Sequence, residues 1–249
     1  MAPPRVWLNR LLVALLLVVA LPHVAFTGRV RPRRVGRSAR RWVLVAGRLT
    51  GVRFEKRGHL ESRPGVPRVL VSNHSSPLDI AALLAVVPDL RFVAGADLFK
   101  FPLLGAAMRA MGTVPVDRRG RSGSHLEMPG GDVSAEWTLA VFPEGAIAPA
   151  GRRLPFKRGA FALAIEWAAD VVPAAIHHSA HLLPPRGRLG VRPGNVVVEF
   201  LPSFPTEGLT LASRTDLCQL AEQSLLGALG SDDGGLAARG AVSPQGGTA

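Results

Sequence analysis

The sequence predicts an α/β fold, and three observations predict it. Arg68–Ser72, Arg-Val-Leu-Val-Ser, has the apolar, β-branched composition of a short buried strand. A helix start follows at Ser76-Pro77-Leu78-Asp79, with Ser76 as N-cap, Pro77 at the first helical position and Asp79 three residues after the cap. Further apolar strands and helical stretches alternate along the chain. Its 249 residues, 47% of them hydrophobic, suffice for one full-sized α/β core rather than two.

Taken in order, Leu11–Phe26 is almost wholly apolar, with Arg5 and Arg10 before it and seven arginines between Arg29 and Arg41 after it. Residues 1–41 hold nine arginines and no acidic residue, which is +9 of the net +12. Three readings are open. Dense arginine after the apolar run disfavours an exported signal peptide. A spanning helix needs about 20 apolar residues, which Val6–Phe26 supplies when tilted. A helix dipping into one leaflet would rest its arginines on anionic headgroups. Both membrane readings keep the rest of the chain on the cytoplasmic face of the cell membrane. A nucleic-acid binder would carry its charge on the folded domain with aromatics among it, and tyrosine is absent here. The single cysteine, Cys218, excludes an internal disulfide.

Trp42–Leu49 reads as a short apolar helix and Val52–Phe54 as a first strand, followed by a loop over Gly58–Pro67. After Arg68–Ser72 come a helix over Ile80–Val87 stopped by Pro88, a strand at Arg91–Ala94, and a helical turn or two at Ala106–Met111 ended by Gly112. Val114–Asp117 is a strand that delivers Arg118 at its end. Residues 119–136 contain Gly120, Gly123, Pro129, Gly130 and Gly131 with no sustained helical period, and read as a loop. Thr138–Phe142 is a strand, Gly159–Ala168 a helix and Val171–Ile176 a strand. Val196–Leu201 is another strand, with the sheet edge as one place for it, and Leu211–Leu229 a C-terminal helix. The organisation is a hydrophobic helix and basic membrane-associated arm over 1–49, a folded domain over 50–229, and a Gly-rich disordered tail over 230–249.

His74 falls at the carboxyl end of a strand and beside a helix N-terminus, where ligands gather in open α/β sheets. Asp79 lies five residues on, a spacing that does not share a face of one straight helix. The two meet only if His74 lies outside the helix and folds back over its first turn. A carboxylate there would hold one imidazole nitrogen and leave the other free as a base. The plainer alternative is that Asp79 caps the helix and His74 is a turn residue. His177, His178 and His181 invite a metal reading, but a strand end with no accompanying Cys or acid fixes no ligand geometry, so no metal site is assigned.

Asn73-His74 followed by Asp79 resembles the first motif of the glycerolipid acyltransferases, the family of lysophosphatidic acid acyltransferase. Arg91–Ala94 with Leu98-Phe99-Lys100 and Gly105 is similar to its second block, and Gly112–Arg118 to its arginine motif. Phe142-Pro143-Glu144-Gly145 resembles the third motif, Pro155–Phe161 the segment after it, and Val171–Ile176 the fourth. The resemblance covers roughly residues 50–205, in the family's order.

The resemblance implies a single acyltransferase domain with a mixed central sheet flanked by helices. It also implies an acyl group moved from a thioester, acyl-CoA or acyl carrier protein, to the hydroxyl of a lysophospholipid, with no other cofactor. His74 would be the general base and Asp79 its partner. Asn73, Arg118, Glu144 and Gly145 would serve the acceptor, Arg118 by gripping phosphate. The membrane would supply the lipid. The chain departs from the pattern at Ala146-Ile147-Ala148, where the family commonly has Thr-Arg-Ser. A phosphate-gripping arginine is therefore missing, and Arg152, Arg153, Lys157 and Arg158 follow closely enough to substitute. Two alternatives stay open: a different acceptor, such as a lyso-ornithine lipid, and a catalytically silent membrane-binding homologue.

Overall fold

A computed structural model of the chain describes residues 4–61, 63–87, 89–116, 138–149, 152–184 and 190–239. The expected loop over 119–136 lies outside the described residues. Two helices open the chain, α1 (Pro4–Val30) and α2 (Val35–Thr50). They are followed by β1 (Val52–Arg57), β2 (Arg68–Ser72), α3 (Leu78–Val86), β3 (Leu90–Gly95), α4 (Pro102–Ala110) and β4 (Val114–Val116). Then come β5 (Thr138–Val141), α5 (Gly159–Glu166), β6 (Asp170–His177), α6 (Ser179–Leu182), β7 (Gly194–Phe200) and α7 (Arg214–Arg239).

The strands form one seven-stranded sheet in the order β1-β7-β6-β2-β5-β3-β4. Every pairing is parallel except β6 with β7, so the sheet is mixed, as expected. Because β2, β3, β4, β5 and β6 run the same way, their carboxyl ends share one edge. Side chains alternate across β2. Leu70 faces the layer of α3 with Leu78, Ala82 and Leu83, and it shares that face with Val172, Ala174, Val196 and Val198. Val69 and Val71 face Phe161 and Ala164 of α5 and Leu217, Ala221 and Leu225 of α7. Both faces of β2 are thus covered, which is why its sequence is continuously apolar rather than alternating.

Several elements differ from expectation, three of them with clear causes. β7 lies between β1 and β6 rather than at an edge; its Val196-Val197-Val198 run is buried on both faces. The helix α2 takes in the basic stretch Val35–Arg41 as well as Trp42–Leu49, since arginine is a good helix former. α7 continues past Leu229 through Gly230 to Arg239. A glycine costs about 1 kcal/mol in a helix, too little by itself to stop one already nucleated.

α1 does not stand away from the domain. Near its start the Asn9 amide is buried and donates to Val191 O at 2.9 Å and Thr50 O at 3.4 Å. Near its end Val24 is buried with Ala39 of α2 and Ala107 of α4. The close approach of α1 to α4 needs Gly28, where an added Cβ would meet the Ala110 Cβ at 2.5 Å.

Candidate active site

The site lies at the carboxyl edge of the sheet, just past the end of β2. Asn73 pairs its side chain with the end of β6, its amide donating to Ile176 O at 3.0 Å and its oxygen accepting from Ile176 N–H at 2.8 Å. This extends the β2–β6 ladder by one rung after the backbone has turned away. Both ends of the amide are taken by main chain, so Asn73 acts as a bracket that fixes where the strand ends. His74 is carried on the turn that follows.

The histidine and aspartate meet. The His74 ring nitrogen Nδ1 is 2.9 Å from Asp79 Oδ2, and the same oxygen accepts the backbone N–H groups of Ser75 and Ser76, each at 2.8 Å. The carboxylate thus both holds the turn and meets the imidazole. One carboxylate oxygen caps the first turn of α3 and holds the imidazole, because His74 sits outside the helix and folds back over its start. A carboxylate only accepts, so Nδ1 is the donor in this contact, and in the neutral ring Nε2 has the lone pair. Among the described residues no group bonds Nε2. The turn is held further by Ser76, whose hydroxyl donates to Leu183 O at 2.7 Å and accepts from Leu78 N–H at 3.0 Å. Ser75 and Ser179 hydroxyls meet at 3.1 Å.

The third-motif segment wraps His74 from the other side. The Phe142 ring stacks on the imidazole with centroids 4.0 Å apart and planes 13° from parallel. Glu144 Oε1 accepts the His74 N–H at 2.8 Å, Glu144 Oε2 accepts the Leu154 N–H at 3.2 Å, and His74 O accepts the Ala148 N–H at 2.8 Å. His74 is thus gripped at its main chain by Glu144 and Ala148, at its ring face by Phe142 and at Nδ1 by Asp79. Glu144 is buried, and burial pushes its carboxyl above the usual range, against the two N–H groups that favour its charge. The sequence-predicted acceptor residue is therefore directed at protein backbone.

Gly145 has φ +74° and its N–H closes a turn on Phe142 O at 2.9 Å. Only glycine adopts this conformation freely. What approaches its open face is the Lys157 side chain. Arg118 lies outside the described residues, two residues past the end of β4. His177 does have an acid beside it: its Nε2 is 2.9 Å from Glu199 Oε2, a partner supplied by β7 that no local spacing revealed. Phe142, Ala148 and Ser179 were not readable as site residues, because their roles exist only once β5 and β6 are laid on either side of β2.

An aspartate-held histidine at a sheet edge is an arrangement able to accept a proton from a hydroxyl. A family model described as Acyltransferase matches residues 52–177, which include every described residue of the His74 clamp. The chain is 32% identical over 217 residues to "1-acyl-sn-glycerol-3-phosphate acyltransferase alpha" of Mus musculus, covering 85% of this chain and 75% of that protein. It is 33% identical over 200 residues to the Bos taurus protein of the same name, covering 78% and 68%. The crystal structure of the 1-acyl-sn-glycerophosphate acyltransferase PlsC from Thermotoga maritima superposes with a TM-score of 0.73, covering 93% of this chain and 98% of that one at 22% identity, and shares the fold. The chain belongs to the Acyltransferase family and is an O-acyltransferase.

Proposed function

We propose that this enzyme moves a fatty acyl group from acyl-CoA or an acyl carrier protein thioester to the hydroxyl of 1-acylglycerol-3-phosphate, giving phosphatidic acid. The observation that carries the reading is the His74–Asp79 pair, 2.9 Å apart at the sheet edge in a chain whose relatives bear that acceptor's name. The acceptor hydroxyl attacks the thioester carbonyl while His74 Nε2 takes its proton. The tetrahedral intermediate collapses with loss of the C–S bond, and the imidazolium returns the proton to the leaving thiolate. Asp79 stays ionised and stabilises the imidazolium. Arg118 is the residue assigned to the acceptor phosphate, as a guanidinium can grip it bidentately.

The absence of the family's arginine at Ile147 favours a second reading, acylation of a lyso-lipid without a phosphomonoester. Product analysis by mass spectrometry with a panel of lyso-lipids separates the two. Under the first reading wild type makes phosphatidic acid, and Arg118→Ala loses at least about tenfold with this acceptor, the scale of one charge-assisted hydrogen bond. Wild-type preference for a phosphate-free acceptor, with Arg118→Ala harmless, would transfer support to the second.

The same reading places the enzyme on the cytoplasmic face of the cell membrane. Leu11–Val30 is one helix long and apolar enough to cross a membrane, with mean hydropathy 2.3. Yet α1 touches the domain near both of its ends, through Asn9 and Val24. A helix crossing a bilayer would leave the domain with one end. The contacts instead favour a helix lying along the domain and dipping one side into the near leaflet. Its outward stripe is Leu8, Leu11, Leu15 and Val18, each at least 60% exposed, and Phe101 and Leu103 at the start of α4 are exposed as well. Deleting residues 1–41 would cut α2 and uncover α4, so a point variant is the cleaner test. Replacing Leu11, Leu15 and Val18 by serine removes three side chains worth roughly 1.5–3 kcal/mol each on burial. The protein is expected to move from the membrane pellet to the supernatant with its melting temperature nearly unchanged. Retention in the pellet would place the anchor elsewhere.

A further inference from the structure

Lys157 lies against the turn that clamps His74. Its backbone N–H donates to Pro143 O at 2.9 Å, which ties residue 157 to the start of the Pro143-Glu144-Gly145 turn. Its side chain then folds back over Gly145: a Cβ built there would lie 2.7 Å from Lys157 Nζ, 3.1 Å from Cε and 3.4 Å from Cδ. Gly145 adjoins Glu144, whose carboxylate holds the His74 main chain. The ammonium of this exposed lysine is therefore seated on the turn that clamps His74. Among the described residues no carboxylate pairs with it. Of the other nearby cations, Arg158 is directed away, its guanidinium reaching Thr215 Oγ1 on α7 at 3.5 Å.

We infer that Lys157 is a substrate-binding residue that takes the phosphate of the acceptor. The inference rests on the lysophosphatidate reading above. A phosphomonoester carries about −1.5 to −2 charge near neutral pH, which an ammonium on this turn would partly neutralise. An ammonium is a point charge with three donors and needs no fixed fork, so it can serve from a flexible stem laid on a glycine. Gly145 is required for this as well as for its turn, since any side chain there would displace the ammonium.

The test uses the full-length enzyme with 1-oleoylglycerol 3-phosphate as acceptor. Lys157→Met is expected to raise KM by about tenfold or more, the scale of one hydrogen bond to a charged group, with a smaller change in kcat. Lys157→Arg is expected to restore most of the affinity, and Arg158→Ala to leave it unchanged. In wild type, 1-oleoylglycerol 3-phosphate is expected to shield Lys157 from reductive methylation, followed by peptide mass spectrometry, while 1-oleoylglycerol does not. An unchanged KM in Lys157→Met, a fall in kcat alone, or no shielding by the phosphate-bearing lipid overturns the inference. If wild type forms no phosphatidic acid, the proposed reaction fails, and the shielding measurement still decides the role of the lysine.

Discussion

His74→Ala is expected to lower acyl transfer by about 10²–10⁴-fold, the usual contribution of a positioned general base to attack by a weakly acidic hydroxyl. The variant should remain folded. The bonds that hold residue 74 to Glu144 and Ala148 use its N–H and C=O, which alanine retains. What is lost is the stacked contact with Phe142, the bond to Asp79 and the free Nε2. The measurement is kcat with a saturating acceptor, beside a thermal melt of wild type and variant. Turnover near the wild-type value in a folded variant would remove His74 from the proton path.

Asp79→Asn is expected to cost about 10- to 150-fold in kcat, the worth of one charge-assisted hydrogen bond. Asp79 is fully buried, and a single oxygen accepts from His74, Ser75 and Ser76. The asparagine carbonyl can occupy that position and accept all three, so the turn before α3 survives. It cannot supply the negative charge that favours imidazolium as the proton arrives. Because Asp79 acts through His74, the double variant should be no slower than His74→Ala alone. Losses that multiply in the double variant would mean that the two residues act independently, and the proposed relay of orientation would be wrong.

Much of this architecture was legible before any coordinates. The strand Arg68–Ser72 has the bounds its composition predicts, since both its faces had to be apolar and Asn73 begins the polar turn. The helix after it starts at Leu78 rather than Pro77, a shift of one residue at a boundary where caps blur assignment. α4 was read short because its first turn, Pro102-Leu103-Leu104, resembles surface hydrophobic sequence as much as helix; Pro102 at the first helical position was the available signal. Gly230 misled in the other direction, toward an early end for α7.

The sequence by itself determined the α/β class, the elements that carry the site, the candidate pair His74 and Asp79, and the family. Those properties are written in local composition and in motifs a few residues long. Only the tertiary structure decided that Asp79 Oδ2 serves the helix cap and the imidazole together, because that depends on the fold-back of one turn. It alone directed Glu144 at the His74 main chain and seated Lys157 on Gly145. Residues 74 and 144 are far apart in sequence, and their contact exists only because β5 pairs with β2 and brings both strand ends to one edge. A side chain's partner across a sheet is set by strand order, and strand order has no local signature in the chain.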